Sequence, residues 1–187
     1  MHMPRYVITA PQDLALTAQL DGPLVYLAGP MQGAANWQRD AIEVLGDFAP
    51  DLHVACPRAR VFRGGTDEHL AWERTYTARA MSEGVILCWL ARERAHRCSR
   101  SYGAQVRFEL GAWAAQSARG ELRLVVGIER GFADRAYLVR RLTLDYPQVP
   151  ICRTLRQACA AAAELAIGST HLALPERFVP HIGLRVQ

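Results

Sequence analysis

The chain has 187 residues, a formal net charge of +4 and hydrophobic residues at half of its positions, which suits one folded domain with its own core and excludes a disordered segment. All 22 of its basic residues are arginine, the mark of a GC-rich coding bias, so Schiff-base chemistry and a Walker-type phosphate lysine are both excluded. The charge is mild and scattered, favouring small anions such as nucleotides and arguing against duplex nucleic acid as a partner.

Tyr6-Val7-Ile8-Thr9 reads as a short leading strand, followed by a polar connector that ends at Asp21-Gly22-Pro23. Leu24-Val25-Tyr26-Leu27-Ala28 is the first core strand, stopped by Gly29-Pro30. Asn36 is the expected N-cap of a helix in which Trp37, Ala41, Val44, Leu45 and Phe48 share a face. His53 to Cys56 is a second core strand, and Val61 to Thr66, with Gly64-Gly65, an exposed loop. A helix from about Glu68 to Glu83 leads into Val85-Ile86-Leu87-Cys88-Trp89, an unbroken apolar run of the kind buried on both faces of a parallel sheet.

The segment from Arg92 to Gly103 has neither helical nor strand periodicity and reads as an arginine-studded loop. Beyond it Val106, Leu110, Trp113 and Ala114 recur at helical spacing, so a helix begins near Gly103 and carries Glu109 in its first half. Residues 122–128 form a fourth core strand, 134–142 a short helix, 149–152 a fifth core strand and 155–167 an alanine-rich helix. This alternation predicts a single flavodoxin-like, Rossmann-like α/β domain over residues 1–167, with a five-stranded parallel sheet and helices on both faces. Residues 168–187 form a tail with several apolar side chains, expected to pack on its own domain or on a neighbouring subunit.

Five cysteines without a C-x-x-C pair suggest neither a disulfide framework nor a zinc site, and no metal is expected. No apolar run reaches membrane-spanning length and no signal peptide is evident, so a cytoplasmic protein without membrane contact is expected.

Ligands of open α/β sheets bind at the carboxyl ends of the strands, at the point where strand order reverses. If the first and third core strands are neighbours there, Tyr26 to Met31 and Trp89 with the arginine loop flank a crevice, and Glu109 stands beside it. A carboxylate near a helix N-terminus is held ionised by the helix dipole, which suits a nucleophile.

In this order of motifs the chain resembles the nucleoside 2-deoxyribosyltransferase-like family. The resemblance runs from Tyr26-Leu27-Ala28-Gly29-Pro30 through Asn36-Trp37, Trp72-Glu73, Val85 to Trp89 and Phe108-Glu109-Leu110-Gly111-Ala112-Trp113 to Val126-Gly127 and Arg135-Ala136-Tyr137-Leu138, covering residues 5–160. It implies an enzyme that cleaves or transfers at the N-glycosidic bond of a nucleoside or nucleotide, needs no cofactor and works as a homo-oligomer. Glu109 would attack the anomeric carbon of the sugar to give a covalent glycosyl-enzyme. Tyr26 would lie under the sugar and orient Glu109. Gly29, Pro30, Gly103 and Gly111 would approach the substrate, and Trp89, with Trp37 or Met31, would wall in the base. Beside the resemblance, Arg92 or Arg94, whose guanidinium forks suit phosphate, is the candidate phosphate clamp.

The chain departs from the family pattern at two places. An aspartate that serves the leaving base as an acid is replaced by Tyr76, and an acidic or amide group a few residues before the nucleophile falls where this chain has Gly103, Gln105 and Arg107. Glu73, one turn before Tyr76, is the candidate for the missing acid. The departures and the arginine loop favour a hydrolase of phosphorylated substrates, including a nucleotide- or NAD-depleting N-glycosidase. A non-catalytic nucleotide-binding module of the same fold is the alternative.

Overall fold

The computed structural model describes residues 3–11, 19–58 and 66–168. Among them, six strands form one all-parallel sheet: β1 Tyr6–Thr9, β2 Leu24–Ala28, β3 His53–Cys56, β4 Gly84–Leu90, β5 Leu124–Ile128 and β6 Ile151–Cys152. Helices α1 Trp37–Phe48, α2 Thr66–Glu83, α3 Ala104–Ala118, α4 Arg135–Asp145 and α5 Leu155–Ile167 alternate with them. The expected tail beyond Gly168 and most of the glycine-rich loop before Thr66 lie outside the described residues.

The strand order is β1-β3-β2-β4-β5-β6. The sheet therefore has six strands and not the expected five, because the leading segment pairs along β3, with Tyr6 opposite His53 and Thr9 opposite Cys56. As the edge strand, β1 is only partly covered: Ile8 is buried, Val7 and Thr9 are half-buried and Tyr6 is exposed. Without β1 the order is flavodoxin-like, with β2 hydrogen-bonded to β4, Tyr26 opposite Ile86 and Ala28 opposite Cys88.

Every residue of β2, β4 and β5 is buried, as their unbroken apolar composition requires for a sheet covered on both faces. Side chains alternate between those faces. Tyr26, Ala28, Ile86 and Cys88 join the core under α2 and α3, together with Trp72, Tyr76, Val106 and Leu110. Val25, Leu27, Leu87 and Trp89 join the opposite core under α1 and α5, with Trp37, Leu45 and Ala158. Burying a side chain such as Leu87, which has no exposed surface, contributes about 1.5–3 kcal/mol.

Two local differences from the sequence reading have simple causes. The last strand covers only Ile151 and Cys152, because Pro150 has no N–H to donate and contributes only its carbonyl, to Val126 N at 2.9 Å. Asn36 makes no side-chain capping bond to α1. The entry to that helix is held by Trp37, whose indole Nε1 donates to Pro30 O at 2.8 Å. The capping box of α5 does form, with Gln157 N donating to Thr154 Oγ1 and Thr154 N to Gln157 Oε1, both at 3.2 Å. No helix among the described residues is long and apolar enough to cross a membrane.

Candidate active site

A cavity of about 310 Å³ opens where β2 and β4 end and the chain leaves them on opposite sides. Its floor is Tyr26 and Ala28 of β2 with the following loop, Gly29 to Gln32. One wall is the start of α3, through Gly103, Gln105 and Glu109, and α2 contributes Glu73. Arg100 and Ser101 stand on the loop that enters α3.

Glu109 reaches the cavity because α3 turns its apolar side, Val106, Leu110 and Trp113, into the sheet, while Glu109 falls on the shoulder of that face with Gln105 one turn before it. Gln105 Nε2 donates to Glu109 Oε1 at 3.0 Å. This amide, which the departures from the family pattern left unassigned, stands one helical turn upstream of Glu109, at the i,i+4 spacing that brings side chains together.

The electrostatics run opposite to the expectation from the helix dipole. Burial pushes the Glu109 carboxyl above the ordinary carboxylate range; the bond from Gln105 draws it back and the charge of Glu73 pushes it up again. Glu109 is the sixth residue of α3, and the dipole fades within the first turn. Glu73 is likewise raised, by burial first, with His69 opposing. Two such carboxyls facing one cavity favour the state in which one of them keeps a proton.

Tyr26 is buried, and its hydroxyl stays protonated because burial and the charges of Glu73 and Glu109 all raise it, against a hydrogen bond with Thr77. The hydrogen bond that Glu109 accepts here comes from Gln105. Cys88 lies close enough to Glu109 to feel its charge, and burial together with that charge keeps its thiol protonated. Tyr76, where the family pattern has an acid, is fully buried against Trp72, ring centroids 4.7 Å apart. It does not line the cavity, whereas Glu73 on the same helix does.

Of the residues singled out in the sequence, Tyr26, Gly29, Pro30, Met31, Glu73, Gly103 and Glu109 come together around the cavity. Trp37, Trp89, Arg92 and Gly111 stand outside it. Trp89 has the wrong parity: it is one residue out of step with Cys88 and points to the α1 and α5 face, where its ring fills the space a Cβ would need at Gly127. Trp37 lies in the same opposite core. Arg92 is held by Glu129, its Nε 3.3 Å from Glu129 Oε1 and its backbone N–H donating to Glu129 Oε2 at 2.9 Å. Gly111 is exposed, and a Cβ there would meet nothing within 4 Å.

Gly29 does its work against protein. A Cβ there would collide with the carbonyl oxygen of Trp89 and the indole of Trp37, so the glycine lets β2 end against β4. Gly103, at φ +68°, starts α3 in the left-handed region with the Phe132 ring 3.2 Å from where its Cβ would be.

No family model matches the chain, and no curated protein sequence matches it significantly.

The loop after β2 is held from four directions. Pro30 O accepts from Trp37, Met31 O from Arg58 Nη2 at 2.8 Å, Gln32 O from Arg100 Nη2 at 2.9 Å, and Gly33 O from the backbone N–H groups of Arg94 and Ala95. Arg100 Nη1 also donates to Gln32 Oε1. Arg94 is tied in turn to Glu129 Oε1 at 3.2 Å. Two loops that the sequence leaves unrelated are thus stitched into one rim. Gln32 and Ser101 are cavity residues with no signal in the sequence, while Arg100 belongs to the arginine loop expected beside the crevice and Gln105 to the positions before Glu109; the helical spacing of Gln105 to Glu109 was the readable sign of their pairing, and long-range arginine bonds leave none. Among the described residues, no group of three or more His, Cys, Asp or Glu side chains could hold a metal ion.

Proposed function

We propose that this protein cleaves the N-glycosidic bond of a nucleoside or nucleotide through a covalent glycosyl-enzyme on Glu109. The observation that carries the reading is the convergence of two carboxyls from different helices, Glu109 and Glu73, on one cavity above Tyr26 at the switch point of the sheet. The resemblance of the motifs to nucleoside 2-deoxyribosyltransferase-like enzymes agrees with it.

The division of labour follows from the surroundings. Glu109, with one oxygen bonded by Gln105, presents the other to the anomeric carbon. As the C1′–N bond lengthens, positive charge grows on the sugar and the carboxylate stabilises it before bonding to it. Glu73, raised by burial, gives its proton to the departing base nitrogen. In the second step, water or a second base attacks C1′, Glu73 takes the proton released, and the C1′–O bond to Glu109 breaks. The phenol of Tyr26 packs beneath the sugar in its neutral form.

The test is base release across a panel of nucleosides, nucleoside 5′-phosphates and NAD, followed by chromatography. The expected result is release from at least one of them, lost in Glu109→Ala and reduced by roughly 10²–10⁴-fold in Glu73→Gln, the range of general acid catalysis. Release that persists in Glu109→Ala contradicts the reading, and no release from any of them favours a binding module.

A further inference from the structure

Glu73 has a partner of its own. His69 lies one turn before it on α2, with Nε2 3.4 Å from Glu73 Oε1, and the two side chains are only 15% and 17% exposed. His69 does not line the cavity, while Glu73 does. The imidazole therefore meets the carboxyl from outside the cavity lining. Among the described residues, Tyr26 on β2 and Glu109 on α3 also interact electrostatically with Glu73; Glu109 opposes a negative charge on Glu73, and the neutral phenol of Tyr26 leaves it uncompensated.

We propose that His69 is a positioning residue for Glu73, holding Oε1 so that Oε2 faces the leaving base and stabilising the carboxylate that remains once the proton has gone. The inference rests on the reading of the site as a glycosidic one. Its chemistry balances without His69 losing a proton. In the first step the C1′–N electron pair goes to the base, which takes the Glu73 proton, while C1′ bonds to Glu109. At that moment Glu73 is an anion in a half-buried site beside other acidic groups, and a ring N–H to Oε1 is a donor beside it that lowers its energy. In the second step the attacking water returns a proton to Glu73 and the C1′–O bond breaks.

This explains how the chain functions without an acid at position 76. The His69-to-Glu73 spacing builds the acid and its support into one turn of α2, and Tyr76 is released to pack against Trp72.

A comparison of leaving groups tests the assignment. The probes are deoxyadenosine and adenosine, whose base needs a proton to depart, and the 4-nitrophenyl 2-deoxyribofuranoside and ribofuranoside, whose phenolate does not. His69→Ala is expected to slow base release from the nucleoside by about 10-fold, a part of the general-acid contribution, with KM unchanged, and to leave nitrophenol release at the wild-type rate. Loss of the group that draws Glu73 down also moves the alkaline limb of the nucleoside profile to higher pH, a shift that a structural role would not produce. Equal slowing of both probe types, or an unshifted nucleoside profile at the wild-type rate, overturns the role of His69. If the wild-type protein releases neither base nor nitrophenol, the glycosidic reading itself fails and the role of His69 with it. That result is distinct from a His69→Ala protein that merely matches wild type.

Discussion

Glu109 and Glu73 are costly to ionise in the folded protein, because burial raises both carboxyls. The folded state therefore holds protons at a pH where the unfolded chain has released them. Stability contributed by these groups is full below the ordinary carboxylate range, near pH ~4, and is lost as pH rises through their folded values. Glu109→Gln and Glu73→Gln are each expected to melt at a higher temperature than wild type at neutral pH, with the advantage disappearing in acid. Thermal melts across that range check it, and a Gln variant that is less stable at neutral pH contradicts it. Gln105 acts on the same residue in the opposite sense. Gln105→Leu removes the bond that favours the Glu109 anion, so the acid limb of the rate profile moves to higher pH while KM holds. At this scale the sequence pointed to two carboxylates, Glu109 and Glu73, that the fold brings to one cavity. It was less informative about what holds them, because the roles of Gln105 and His69 depend on which helix face meets the cavity.

The elements explain which expected ligands were misplaced. A strand changes face at every residue, so Tyr26 and Trp89, read together as walls of one site, end on opposite sides of the sheet. Their relative parity depends on the register between β2 and β4, in which Ala28 meets Cys88, and no single strand contains that information. Trp89→Ala is expected to cost about 3–5 kcal/mol in urea unfolding, as a core residue does. Gly111 is the opposite case. Exposed within α3 and with open space around its Cβ position, it carries only the entropic penalty of glycine in a helix. Gly111→Ala should stabilise the protein by about 0.5–1 kcal/mol and leave base release unchanged, measured by urea unfolding and the chromatographic assay. A loss of activity in that variant would return Gly111 to the site.

For the whole molecule, alternating apolar runs and helical stripes were enough to anticipate a parallel α/β sheet with its third core strand beside its first. The sixth strand was visible as a segment and miscounted, because an edge strand of four residues gains its place only from pairing with β3. The rim escaped the sequence altogether: Arg58, Arg94 and Arg100 come from distant segments to bind successive carbonyls of one loop. The sheet order brings the ends of β2 and β4 side by side, and that junction is what makes a cavity from α2 and α3.

The central claim is a bond between a sugar carbon and Glu109. Incubation with a 2-deoxy-2-fluoro nucleoside, whose fluorine slows breakdown of the intermediate, followed by intact mass and peptide mapping, tests it directly. The account predicts one added fluorosugar, mapped to Glu109 and absent from Glu109→Gln. Base release by the wild-type protein with no adduct, or an adduct on another residue, would contradict it.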